Sequence, residues 1–185
     1  MPSVLVPIAD GTEEMEAITI IDCLRRAGID VTVASVMDTQ QITAANGTRI
    51  VADCLIEDCA SNSFDMITLP GGIPGANNLA DSKTLALLLK DQAQSERWVT
   101  AICASPAVVL GAQGLTADKS ATCYPGFESG LVEGGASVQE DKVVVDGKLI
   151  TSRGPATALP FALELIAQLC GTEKSQEIAA GLLAN

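Results

Sequence analysis

Cys103 lies in Ala101-Ile102-Cys103-Ala104-Ser105-Pro106, between a strand-like run and a helix opened by proline. A sharp strand-to-helix turn of this kind lifts a nucleophile above a sheet. The first amides of the following helix would then point at the sulfur and favour thiolate over thiol. The competing reading is a small buried apolar residue, which describes most free cysteines. Gly71-Gly72 ends another strand-like run. Two glycines let backbone N–H groups come close to a ligand and line an anion or oxyanion pocket, or simply make a turn. Glu16 follows the first strand. A carboxyl held protonated by burial would donate a hydrogen bond to sulfur. Glu13, Glu14 and Glu16 together are also what a helix dipole attracts. Tyr124, the single tyrosine, reads first as amphipathic packing. Arg25, Arg26 and Arg49 could hold a small anion, with solvated surface as the default.

Composition removes several alternatives. The chain has no histidine among its 185 residues. That excludes a Ser-His-Asp or Cys-His triad, a histidine base and histidine-ligated metal. Peptidase chemistry is disfavoured for the same reason. No metal and no cofactor is expected. Acidic residues outnumber basic ones 23 to 11, a net charge of −12, which argues against nucleic acid or an anionic membrane as partner. The six cysteines contain no CxxC pair, and a chain of this size needs no disulfide scaffold. Cys54, Cys59 and Cys170 are read as packing. No basic leader precedes the first apolar run, and none approaches the roughly 20 residues that span a bilayer. These features lead us to expect a reduced, cytoplasmic, soluble protein.

The elements that must position these residues alternate between strand and helix. Ser3–Ile8 is a continuous apolar run, as in a strand buried on both faces. Asp10-Gly11 marks a turn. The next helix carries Met15, Ile18, Ile21 and Leu24 as its stripe, ends at Arg25 and Arg26, and stops at Gly28. Strands are expected at Asp30–Val36, Asp65–Leu69 and Trp98–Ile102, with a short one at Ser120–Thr122. Hairpins are expected around Asn46-Gly47 and Asp146-Gly147. Helices are expected over Ser82–Gln94, from Ser105-Pro106, and from Leu159 to Leu169. The whole chain, 1–185, reads as one α/β domain with a mostly parallel sheet sandwiched between helices. In such sheets the chemistry lies at the carboxyl ends of the strands.

In combination the segments resemble the DJ-1/ThiJ/PfpI family, in its smaller DJ-1-like branch. The resemblance rests on Gly11-Thr12-Glu13-Glu14-Met15-Glu16, Arg25-Arg26-Ala27-Gly28, Leu69-Pro70-Gly71-Gly72, Ala101-Ile102-Cys103-Ala104 and Thr151-Ser152-Arg153-Gly154-Pro155. It implies a flavodoxin-like sandwich and a homodimer, with Met15 and its helix near the interface. It implies that Cys103 is the readily oxidised cysteine and Glu16 its protonated partner, with amides from Gly72 and Ala104 beside the sulfur. Two positions depart from the family. Tyr124 stands where many members carry a histidine, and Asn46 stands where an arginine often forms an anion site with Arg26. The function expected first is oxidative-stress protection through an oxidisable Cys103. Glutathione-independent glyoxalase or deglycase action on small aldehydes such as methylglyoxal comes second, and chaperone-like binding third. The expected ligands are a peroxide or a small reactive aldehyde.

Overall fold

The computed structural model describes residues 1–184. The chain runs through β1 (Ser3–Ile8), α1 (Glu14–Arg26), β2 (Asp30–Ser35), the hairpin β3 (Gln41–Thr43) and β4 (Arg49–Val51), and β5 (Cys54–Leu55). One helical turn, Ile56–Cys59, leads to β6 (Met66–Leu69), α2 (Gly75–Asp81), α3 (Lys83–Gln94) and β7 (Trp98–Ile102). A widely wound helical segment, Pro106–Gly111, follows. Then come β8 (Ser120–Ala121), α4 (Glu128–Glu133), β9 (Ser137–Val138), β10 (Val143–Asp146), β11 (Leu149–Ser152), α5 (Ala158–Cys170) and α6 (Thr172–Gly181).

Seven strands form one sheet in the order β10-β11-β7-β6-β1-β2-β5. Every pairing is parallel except β10 with β11. The parallel order follows from helical crossovers between strands that are apolar on both faces. Along β1, Val4, Val6 and Ile8 face one layer, with Ile20, Leu24, Phe161 and Leu165 of α1 and α5. Leu5 faces the other, with Leu79, Leu85 and Leu89 of α2 and α3. The architecture is the flavodoxin-like α/β sandwich expected of the sequence.

Helix α1 has Glu13 as its cap, and the Glu13 carboxylate accepts the Glu16 N–H at 2.8 Å. It ends on Arg25 and Arg26, with Gly28 at φ 77°. That left-handed backbone, which side-chain-bearing residues rarely adopt, favours glycine. Three α-helices escape the sequence reading, as do the short strands β5 and β9 and the turn Ile56–Cys59. Helix α2 begins on glycine and is seven residues long, too short to show a stripe. Helices α4 and α6 bury one residue each, Leu131 and Ile178.

Candidate functional site

Cys103 sits one residue beyond β7 with φ 67°. This left-handed backbone is costly for a non-glycine residue and persists only where neighbours enforce it. Three contacts do so. The Cys103 N–H donates to the Ser152 carbonyl at the end of β11, and its carbonyl accepts the Tyr124 N–H at 2.8 Å. Two residues on, the Ser105 hydroxyl donates to the Pro70 carbonyl at 2.6 Å. The turn is thus clamped to the carboxyl ends of the strands on either side.

Glu16 enters from the neighbouring element. Its side chain is fully buried, and Oε2 accepts the Gly71 N–H at 2.8 Å. Oε1 has no hydrogen-bond partner among the described residues. Cys103 is its neighbour across Gly71, where an added Cβ would crowd both. The three glutamates therefore do three different things. Glu13 caps the helix, Glu14 binds the Asn46 amides at the hairpin tip, and only Glu16 turns inward. The dipole reading does not account for Glu16.

Gly71 and Gly72 divide their roles. The Gly71 N–H is taken by Glu16, so it lines no anion pocket, contrary to expectation. The Gly71 carbonyl accepts the Glu13 N–H at 2.9 Å, which pins the strand end to the start of α1. A Cβ on Gly71 would stand 2.5 Å from the Cys103 Cβ and 3.0 Å from Glu16 Oε2. The amides that reach the sulfur are those of Gly72 and Ala104.

Burial drives the protonation of the pair. It raises the Glu16 carboxyl from 4.5 to about 7, against the pull of Gly71 and Cys103. It also pushes the Cys103 thiol up to about 12, helped by the Glu16 charge and opposed by the Gly72 and Ala104 amides. The sequence led us to expect a thiol lowered by the helix amides and by a hydrogen bond from protonated Glu16; burial instead pushes it up. Two amides do not offset desolvation in a site where Cys103 is 7% exposed. What sets Cys103 apart is the buried Glu16 carboxyl beside it. Burial raises Cys23 and Cys123 to about 11 as well, with the charges of Asp22 and Glu128 adding to it.

Other candidates lie apart. Arg26 is ten residues beyond Glu16, about 15 Å along the helix, and is paired with Asp22 at 2.7 Å. It does not line this site, and Arg25 is paired with Asp53. Tyr124 is joined to Cys103 through its backbone. Its half-exposed ring lies edge-on to Phe127, centroids 6.4 Å apart, and close to Gly154. Two cavities of about 480 and 520 Å³, both reaching Lys148, lie at the opposite ends of the strands. Among the described residues, no cluster of side chains suited to a metal is present. Nor is any helix long and apolar enough to cross a membrane.

The chain and its fold have known relatives. The model of the DJ-1/PfpI family matches residues 2–168. The chain belongs to the DJ-1/PfpI family. It is 45% identical over 181 residues to Protein DJ-1 homolog A of Arabidopsis thaliana, covering 98% of this chain and 46% of that protein. The chain thus spans about half the length of the Arabidopsis relative. It is 39% identical over 175 residues to Glutathione-independent glyoxalase DJR-1.2 of Caenorhabditis elegans, covering 95% and 91%. Among solved structures, oxidized Toxoplasma gondii DJ-1 superposes with a TM-score of 0.95 at 43% identity, over 99% of this chain and 98% of that one.

Proposed function

We propose that this DJ-1/PfpI protein is a redox-responsive cysteine protein in which Cys103 and Glu16 act as one unit sharing a proton. The carrying observation is the fully buried Glu16 carboxyl, fixed by the Gly71 N–H at 2.8 Å and set beside Cys103, so close that one added Cβ on Gly71 would touch both. As carboxylate, Glu16 takes the thiol proton while sulfur attacks the peroxide O–O bond, and passes it to the leaving hydroxide or alkoxide. The products are sulfenic acid at Cys103 and water or alcohol. A second peroxide gives the sulfinic acid. The sulfinic acid gives its proton to Glu16, and the protonated Glu16 and the Gly72 and Ala104 amides then donate to the sulfinate oxygens. Burial of the sulfur restricts attack to small, neutral reagents.

A second reading draws on the relative named glutathione-independent glyoxalase. The thiol of Cys103 adds to the aldehyde carbon of methylglyoxal to give a hemithioacetal. Glu16, titrating near neutrality, moves a proton from that carbon to its neighbour. Hydrolysis of the resulting thioester yields lactate. Chaperone-like binding has no comparable support, because the apolar content is used by the two core layers. A homodimer through the outer face of α1, where Met15 is 60% and Ile18 47% exposed, completes the proposal. We place the protein in the cytoplasm.

Peroxide titration followed by peptide mass spectrometry tests the first reading. Cys103 is expected to gain oxygen before any other cysteine. Oxygen appearing first elsewhere overturns it. Lactate from methylglyoxal without glutathione, lost in Cys103→Ala, with Cys103 resistant to peroxide, would favour the second.

A further inference from the structure

Two other cysteines meet at the edge of the sheet. The Cys54 and Cys59 sulfurs are 3.6 Å apart, about 1.5 Å beyond an S–S bond. Sequence spacing alone gave no reason to pair them. The fold supplies it. Cys54 lies in β5, which pairs with the end of β2 through Ala34 and Ser35. The chain then turns at Leu55, whose N–H donates to the Asp58 carboxylate at 3.2 Å. The single turn Ile56–Cys59 brings residue 59 back against residue 54.

The two thiols are unequally placed. Cys54 is partly exposed, at the outer strand of the sheet. Cys59 is 1% exposed and packs among Ile56, Phe64 and Ile67. An accessible sulfur backed by a buried one is the layout of an attacking and a resolving cysteine. We propose that Cys54 and Cys59 form a reversible dithiol–disulfide centre, oxidised by a small hydroperoxide and separate from Cys103.

The chemistry balances within the pair and the oxidant. The Cys54 thiolate attacks the peroxide O–O bond and becomes sulfenic acid, and the leaving alkoxide or hydroxide takes a proton. The Cys59 sulfur then displaces hydroxide from the Cys54 sulfenic acid, and its own proton leaves with that hydroxide as water. Two thiols and one hydroperoxide give one disulfide, one alcohol (water from hydrogen peroxide) and one water. Burial, then the neighbouring Cys54 sulfur, Asp58 and Glu57, push the Cys59 thiol up to about 12. Cys59 therefore keeps its proton in the resting state and can share it with the Cys54 sulfur. The carboxylates of Glu57 and Asp58 favour a neutral oxidant over an anionic one.

The test uses the full-length chain treated with hydrogen peroxide, alkylated, and digested without reductant. The peptide holding both residues is expected two hydrogen atoms lighter, unalkylated at 54 and 59, and restored by dithiothreitol. The same product is expected in Cys103→Ser, which separates this centre from the proposed role of Cys103. Cys54→Ser should abolish it. Serine at 59 would leave a buried hydroxyl without a partner, so Cys59→Ala serves there, and Cys54 should then accumulate as sulfenic acid. Full alkylation of both residues at peroxide levels that oxidise Cys103 would overturn the proposal. So would oxygen addition to either one without hydrogen loss in the wild type, or a disulfide to another cysteine.

Discussion

Glu16 is the residue on which the site depends, and it is a carboxyl in an environment that disfavours charge. Its folded value of about 7 lies above its ordinary 4.5. A raised carboxyl contributes stability in full below the unfolded value, and loses it as pH rises through the folded one. Between about pH 4.5 and 7.5 the wild type should lose on the order of 3 kcal/mol that Glu16→Gln does not lose. Urea denaturation of both proteins across that range checks the difference. A parallel pH dependence in the two would remove the buried carboxyl as its cause. Position in the sequence placed Glu16 near the first turn of a helix without separating it from Glu13 and Glu14; only the family resemblance singled it out. What separates them is the approach of Gly71 from β6, a contact 55 residues away in the chain. Arg26 shows the converse error. Its motif suggested an anion site, and the helix carries it to the far end, against Asp22.

At the scale of elements, three strand ends and one helix start build the site, and glycine makes the contact close enough. Gly71 has no room for a side chain, since backbone Ile102 O would lie 2.9 Å from a Cβ and the Cys103 Cβ 2.5 Å from it. Gly71→Ala should cost about 1–3 kcal/mol of stability and slow Cys103 oxidation further by shifting it from Glu16. Denaturant midpoints and oxidation rates measured together check this. Normal Cys103 reactivity in a folded Gly71→Ala would contradict the fit. Elements with a strong local signal were legible in the sequence. Ser3–Ile8 and Trp98–Ile102 have the expected bounds, and both hairpins form at Asn46-Gly47 and Asp146-Gly147. Helices α2, α4 and α6 were not legible, because each buries too few apolar residues to leave a period. The Cys54–Cys59 contact was hidden for another reason. A strand followed by one helical turn reverses the chain without any glycine or proline to announce it.

For the whole molecule, the sheet is covered on both faces within one chain, yet α1 leaves Met15 and Ile18 exposed on its outer side. The proposed homodimer would cover them. Met15→Glu is expected to raise the dimer dissociation constant about 30-fold or more, as for loss of a central apolar anchor, measured by sedimentation equilibrium. An unchanged dimer, or a wild-type monomer, would remove α1 from the interface. The net charge of −12 disfavours polyanionic partners and leaves the choice of small, neutral reagent to the buried site. That choice returns to the pair at its centre. The most direct measurement is the rate of Cys103 modification by iodoacetamide, followed from pH 5 to 9 in the wild type and in Glu16→Gln. The wild-type rate should rise through an inflection near pH 7, where Glu16 becomes able to take the thiol proton. In Glu16→Gln that inflection should vanish, and the rate at neutral pH should fall by about 100-fold or more. An inflection near pH 7 that survives in Glu16→Gln would contradict the shared proton on which the account rests.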